Sequence, residues 1–491
     1  MRDNLKVKSI RGIKFTTATT ILTTVIQCLQ LVILARLLGP DVFGLMAMVL
    51  VVLGFIQLCA EMNLSEAIIQ HRGPTREALA SLYWVNVACG IVACFTLYAA
   101  APLVAYVVRM PQLTLVLRVC GISLVISAFG IQFQAIMRKR LDFDSVFLVD
   151  VASSFISALV VILSAWLGKA GVWAFVWGLL SGTMVQTFIC VFYAFRTRII
   201  PIWHFSSFEL GSYLRFGLYR LGAMALNYFT TRMDQILIGG LMGPQMLGYY
   251  NLALKITIQP ISKLNPIITR VAFPAFSQMQ DDLPRLRRGF IKMLKLLIFI
   301  NAPVFMGIVV VAPIAIPVLL GRQWSAVVPL VQVLALYALI RSYGNAAANL
   351  FVAKGYVHWT FYWNVGVLMF SPPILYLAAR SGSMINVTWA LVFLQVVLFI
   401  AGYFLMFRRI IGPFMKDLAA ALGPSLISAA CMAAILLVGL NFLSGLMLPL
   451  QLVLLVLSGT LIYLLLAHLF QRMFVVEIYK SAASISQKTQ V

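Results

Sequence analysis

Acidic residues are scarce in this 491-residue chain. Asp and Glu total 14 against 37 Lys and Arg, charged residues make up only 10%, and 62% of the sequence is hydrophobic. An ordinary soluble domain, about a quarter charged, is excluded by that balance. Histidine is rare (4), and none of the seven cysteines, Cys28, Cys59, Cys89, Cys94, Cys120, Cys190 and Cys431, stands in CxxC spacing. This argues against a metal site or a disulfide framework; the thiols read as small core hydrophobes. No GxxxxGK[ST] occurs, and the GKA at 168–170 is only a turn, so a P-loop is absent. Long hydrophilic loops are missing too. That leaves no room for a soluble nucleotide-binding domain, or for the large outer loop that a membrane glycan polymerase or ligase needs.

What is present is apolar sequence in runs of about 18 residues or more, repeated from end to end, the mark of a multi-span membrane protein. The backbone must be satisfied without water, and helices achieve this alone; the short alternating strands of a barrel are not seen. The pattern predicts an all-α polytopic fold of about 14 transmembrane helices. Their centres lie near Val25, Val52, Ala93, Val125, Val160, Leu180, Leu226, Ile258, Val309, Ala338, Leu368, Val396, Leu436 and Leu457.

The formal charge of +23 could suggest nucleic acid, but the bases lie in short connections between apolar runs. Connections after even-numbered spans carry Arg72 and Arg76, the RKR at 138–140, Arg196 and Arg198, Arg285, Arg287 and Arg288, Lys354, and Arg408, Arg409 and Lys416. Those after odd-numbered spans carry lone bases such as Arg36 and Arg109. The positive-inside rule then places both termini and the even-numbered connections in the cytoplasm. The opening MRDNLKVKSIRGIK has five bases and no cleavage site, and reads as a retained cytoplasmic N-terminus.

An internal repeat divides the chain. LARLLGPDVFGL (34–45) and IGGLMGPQMLGY (238–249) share L-x-G-P-x-x-x-G at an offset of 204 residues, about six spans. Each copy turns one span into the next, Gly-Pro making the turn and the later Gly permitting close helix approach. An even number of spans per half gives two lobes related by a pseudo-two-fold axis along the membrane normal. The expected organisation is an N-lobe over 1–205, a C-lobe over 206–412, two further helices over 413–472 and a cytoplasmic tail over 473–491.

Basic residues also fall within the spans: Arg118, Arg215, Arg220, Arg232, Lys255, Lys263 and Arg341. A central Lys or Arg costs about 2.5–3.5 kcal/mol even on the lenient insertion scale. Snorkelling offers relief to Arg118 and Arg215, less so to Lys255 and Arg341, near mid-span. Helical spacing gathers these bases into stripes. Lys255, Gln259 and Lys263 repeat at i, i+4, i+8; Arg341, Asn345 and Asn349 do the same; Tyr213, Arg220, Asn227 and Asp234 recur every seven residues. Span 1 carries a neutral Thr and Gln face, and Asp150, Ser154 and Ser157 form another in span 5. Some of these polar positions are plain interhelical hydrogen bonds. The second half therefore holds most of the intramembrane positive charge. The carboxylates, Asp234 at that depth with Glu61 and Asp150 nearer the cytoplasmic side, are too few to neutralise it, and a net positive cavity calls for an anionic ligand such as phosphate. Two roles stay open for these acids: proton coupling, or a structural ion pair such as Asp234 with a neighbouring arginine. Pro260, Pro266, Pro303 and Pro313 would interrupt helices 8 and 9, allowing them to bend.

Several segments in order, ARLLGPDVFGL, LSEAIIQ (64–70), GYYNLALKI (248–256), FPAFSQMQDD (273–282), GRQW (321–324) and NLFVAKG (349–355), resemble the bacterial polysaccharide flippase family. The likeness is to its lipopolysaccharide, O-antigen and colanic-acid type, within the multidrug/oligosaccharidyl-lipid/polysaccharide exporter superfamily, and it covers almost the whole chain. It implies a flippase moving polyprenyl-pyrophosphate-linked oligosaccharide to the periplasmic leaflet of the inner membrane by alternating access of two six-helix lobes. No bond is made or broken, so no catalytic residue, metal or cofactor is expected. Family members commonly have cationic cavities. Here the candidates are Lys255, Lys263, Arg220 and Arg341, with Asn227, Gln259 and Asn345 as neutral partners. Trp359, Tyr362 and Trp363 are either sugar-stacking groups or interfacial anchors. The partners are the lipid-linked oligosaccharide and membrane lipids, with polysaccharide polymerase or export proteins as further candidates; nucleic acid is not one. The alternative is a multidrug/cation antiporter of the same superfamily, which should carry acidic rather than basic cavity residues.

Overall fold

The structure is a computed structural model. It describes the chain except residues 1, 62–74, 169, 200–201, 203–206, 280–281, 345–349, 352–353, 355–356, 444 and 489–491, and the side chains of 2–11, 13–14, 207–220, 223, 267–275, 277–278, 357–358, 360 and 473–488. The described residues contain helices and no strand, the outcome expected where lipid offers no hydrogen bonds to a backbone.

In chain order the helices are α1 (Arg2–Leu37), α2 (Pro40–Glu61), α3 (Arg76–Val108), the interrupted series α4 (Leu113–Cys120), α5 (Ile122–Ala128) and α6 (Ile131–Lys139), then α7 (Phe143–Leu167), α8 (Val172–Arg196) and α9 (Ser207–Gln278). There follow α10 (Leu283–Leu319), α11 (Val328–Arg341), α12 (Val357–Arg380), α13 (Met384–Gly402), α14 (Arg408–Ile411), α15 (Met415–Leu443) and α16 (Leu448–Lys488). Among the described residues eleven helices are long and apolar enough to cross a membrane, and α4–α6, bent by 42°, makes a twelfth span. Helix α9 has 72 residues and breaks at Gly243, whose φ is +84°. At 1.5 Å per residue its two segments together have a contour of about 110 Å, enough for two crossings. It occupies the place of expected spans 7 and 8, so all fourteen expected centres lie in helices.

The chain forms two compact units, Met1–Gly248 and Tyr249–Val491. In the first, a core of Leu82, Tyr83, Phe133, Met137, Val149 and Cys190 joins α3, α6, α7 and α8. The Ser157 hydroxyl donates to the Gly178 carbonyl at 2.8 Å. The threonines of α1 turn back on their own helix, Thr20 to the Thr16 carbonyl and Thr23 to that of Thr19. In the second unit an aromatic cluster of Phe290, Phe351, Tyr403, Phe407 and Phe414 packs the start of α10. The middle of α10 packs against α15 and α16 through Ile298, Ala302, Met432, Leu436 and Tyr463. Arg287 and Asp417 form an ion pair between the starts of α10 and α15.

Prolines inside these helices leave carbonyls unpaired, since each lacks the N–H owed to the residue four places earlier. Three of those carbonyls are taken by neighbouring spans. Pro102 frees Tyr98, whose oxygen accepts from Arg118 Nε at 3.4 Å. Pro303 frees Phe299, which accepts from the Tyr463 hydroxyl at 2.8 Å. Pro313 frees Val309, which accepts from Gln332 Nε2 at 2.9 Å. Neighbouring helices thus restore what proline removes, as membrane-embedded backbone demands.

Candidate substrate and coupling sites

The basic stripe of α9 lies off its packed face. Thr257, Ile261 and Asn265 are buried at i, i+4, i+8, and Ile261 meets Phe305, Ala335 and Ala338 of α10 and α11. Lys255, Gln259 and Lys263 sit two residues out of step, about 200° around the helix. Lys255 is exposed, and Gln259 and Lys263 are half-buried. The same sequence that buries one edge of α9 against two helices therefore turns an ammonium-bearing edge away from them.

Arg341 ends α11 and is half-buried. Its guanidinium donates to the Tyr337 hydroxyl one turn back and lies 5.6 Å from that ring's centroid. The next residue, Ser342, accepts through its carbonyl from Asn265 Nδ2 at 2.8 Å. This link brings the end of α11 to the level of α9 that carries Lys263.

In the first unit, Asn227 is exposed on α9. Asp234 is half-buried and accepts from the Gln235 backbone N–H at 2.8 Å, while Arg232 Nη1 donates to the Gln235 side chain at 3.3 Å. Glu61 accepts from Gln57 Nε2 at 2.7 Å. Asp150 heads a short amide relay: Gln134 Nε2 donates to its carboxylate at 3.1 Å, and Gln186 Nε2 donates to Gln134 Oε1 at 3.4 Å. Besides these neutral amides, the Arg138 guanidinium acts on the same half-buried carboxylate through its charge. The side chains of Arg215 and Arg220, the residues Asn345 and Asn349, and the LSEAIIQ motif lie outside the described ones.

Among the remaining candidates, Arg118 is occupied structurally. Besides bonding the Tyr98 carbonyl, it stacks 4.4 Å from the Tyr98 ring centroid. Trp359 and Trp363 pack against the aromatic cluster of the second unit, whereas Tyr362 is 68% exposed. Sequence reasoning missed Asn265, Asn301 and Ser342, a buried polar group joining three helices. Its available signal was asparagine at or near a mid-span proline, as in Asn265–Pro266 and Asn301–Ala302–Pro303.

Eleven membrane-length apolar helices among the described residues, with the bent α4–α6, the split α9 and polar stripes at membrane depth, define a polytopic membrane protein of the transporter class. The fold matches a structure of the lipid II flippase MurJ in an inward closed conformation with a TM-score of 0.77, covering 94% of this chain and all of that one at 13% identity. An inward-facing multidrug resistance MATE family transporter of the MOP superfamily matches with 0.65, over 80% of this chain and 97% of the other at 15% identity. The chain belongs to the polysaccharide biosynthesis protein family, whose profile matches residues 33–329. It is similar to the lipopolysaccharide biosynthesis protein WzxC of Escherichia coli (strain K12), 30% identical over 409 residues and 83% of each chain. It is also similar to the teichuronic acid biosynthesis protein TuaB of Bacillus subtilis (strain 168), 30% identical over 425 residues, 84% of this chain and 87% of that one.

Proposed function

We propose that this protein is an inner-membrane flippase that carries polyprenyl-pyrophosphate-linked oligosaccharide to the periplasmic leaflet, for export of a lipopolysaccharide or exopolysaccharide. The observation that carries the reading is a pairing: kinship to WzxC over 83% of the chain, and a fold shared with a lipid II flippase over 94%. The ammonium and guanidinium groups of Lys255, Lys263 and Arg341 in the second unit bind the pyrophosphate. Phosphate is matched by such donors, and a desolvated cation at membrane depth is stabilised by the anion it receives. Gln259, on the same edge of α9, bonds sugar hydroxyls.

The mechanism is alternating access by the lobes 1–205 and 206–412, with both termini cytoplasmic and the lipid tail remaining in the bilayer. No bond of the substrate changes, so the chain acts as a carrier and not as an enzyme. An ion gradient, the membrane potential or consumption of product outside drives net transfer. Asp150, with its amide relay, is the strongest of the proton-coupling candidates, ahead of Asp234 and Glu61. A multidrug antiporter is disfavoured because the charged stripe at membrane depth is basic and would repel cationic drugs.

Deleting the gene and following the lipid-linked oligosaccharides tests the reading. Accumulation of a complete pyrophosphate-linked repeat unit on the cytoplasmic leaflet is the expected outcome. Normal surface glycan, with no accumulated intermediate, would refute it.

A further inference from the structure

The first unit holds a cavity of about 300 Å³ that belongs neither to the basic stripe of α9 nor to the Asp150 relay. It is lined by Gly12 of α1, by the run from Arg140 to Asp144 that joins α6 to α7, and by Tyr193, one turn before the end of α8. The lining comes from where helices of the membrane begin and stop: α6 ends at Lys139, α7 starts at Phe143 and α8 ends at Arg196. The cavity therefore opens at the level of the lipid headgroups. The bases at 138–140 mark that side as cytoplasmic.

Its walls are braced from three sides. Asp142 caps α7, accepting from the Ser145 backbone N–H at 3.3 Å and from the Ser145 hydroxyl at 3.0 Å. The Tyr193 hydroxyl donates to Asp142 and accepts from Arg140, so α8 holds both charges of the turn in place. Gly12 closes the third side. A β-carbon there would stand 2.5 Å from the Phe143 ring, and without one α1 comes down onto that ring. Arg140 and Asp144 are exposed at the mouth, beside the exposed Leu141.

The charges select the ligand. A purely anionic headgroup would meet the carboxylates of Asp142 and Asp144, and a purely cationic one would meet the Arg140 guanidinium. A headgroup carrying both charges pairs its phosphate with the guanidinium fork and its ammonium with a carboxylate. A primary ammonium brings three N–H donors to that carboxylate, whereas a quaternary one brings none. Phosphoethanolamine therefore fits where phosphocholine does not. Leu141 and Phe143 add an apolar wall for the glycerol and the first methylenes of the acyl chains. Basic pockets between membrane helices at the cytoplasmic face are known lipid-headgroup sites; the two carboxylates set this one apart.

We propose that the cavity at the α6–α7 turn binds the phosphoethanolamine headgroup of a phospholipid of the cytoplasmic leaflet, Arg140 holding the phosphate and Asp144 the ammonium. Bound there, the lipid ties the start of α1 to α7 and α8. The ligand is a lipid of the surrounding bilayer and not the cargo, so the site stands independently of the flippase reading, and its test measures no transport.

The purified full-length protein, stripped of lipid in detergent, is titrated with phosphatidylethanolamine, phosphatidylcholine or phosphatidylglycerol. Bound lipid is counted by mass spectrometry of the intact complex, and thermal unfolding is followed in parallel. Phosphatidylethanolamine should fill one saturable site about tenfold or more tighter than either other lipid. It should raise the melting temperature on the order of 2 °C at about tenfold excess over Kd. Arg140→Gln and Asp144→Asn should each weaken that binding by about tenfold or more; both side chains are exposed, so the fold survives their loss. Arg196→Gln, which removes an exposed base of α8 outside the cavity, should leave it unchanged. Equal binding of the three lipids, undiminished binding in both cavity variants, an equal loss in Arg196→Gln, or equally tight binding of soluble glycerophosphoethanolamine would overturn the proposal.

Discussion

Gly44 and Gly248 lie backbone against backbone, each against the other's copy of the Gly-Pro motif. A β-carbon on Gly44 would stand 2.6 Å from the Pro244 carbonyl carbon and 2.8 Å from the Gly248 nitrogen. One on Gly248 would stand 2.8 Å from the Pro40 carbonyl carbon and 3.1 Å from the Gly44 nitrogen. The contact is reciprocal, as an internal two-fold repeat would make it. Backbone cannot step aside as a side chain can, so Gly44→Ala and Gly248→Ala should each destabilise by about 1–3 kcal/mol and depress transport together. Gly240→Ala, with open space around its β-carbon, should leave both nearly unchanged. Melting temperatures of the purified variants check this.

The proline clamps predict a compensation. Tyr463→Phe strands the Phe299 carbonyl and should cost about 1–3 kcal/mol. Pro303→Ala restores the N–H that closes the helical bond to that same oxygen, so the double variant should recover most of the loss. Gln332→Leu and Pro313→Ala should behave likewise around Val309. Double-mutant cycles of unfolding free energy report the coupling directly; strictly additive effects would mean the clamps do not act as described.

Aromatic roles can be separated by one comparison. Trp363 lies against Gly402 and the Phe290–Phe407 cluster, while Tyr362 is largely exposed. Trp363→Ala should lower the melting temperature by several degrees, the cost of a core truncation of about 3–5 kcal/mol. Tyr362→Ala should leave the melting temperature in place, and any loss it causes should appear only in transport.

The fourteen spans were legible because lipid demands long apolar helices and permits little else. The GPxxxG repeat showed where each half begins its second span, and i, i+4, i+8 spacing drew the Lys255–Lys263 stripe. Tertiary partnerships were not legible. Arg118 looked like a snorkelling base, and its bond to the Tyr98 carbonyl depends on which helix lies beside the freed oxygen of Pro102. Ser154, Ser157 and the α1 threonines read as a polar face; Ser157 and the threonines Thr20 and Thr23 are engaged by backbone carbonyls. The Asn265, Asn301 and Ser342 group escaped notice because neutral amides carry no charge to mark them at membrane depth.

The central claim is that basic side chains of α9 and α11 receive a pyrophosphate headgroup during transfer. The most direct measurement is headgroup exposure in proteoliposomes that contain purified protein and a labelled polyprenyl-pyrophosphate oligosaccharide. The account predicts fast transfer by the wild type, and a loss of about a hundredfold or more in the Lys255→Leu, Arg341→Leu double variant, as removal of two charge-assisted contacts of about 1.5–3 kcal/mol each would give. Equal rates from wild type and the correctly inserted double variant would contradict it.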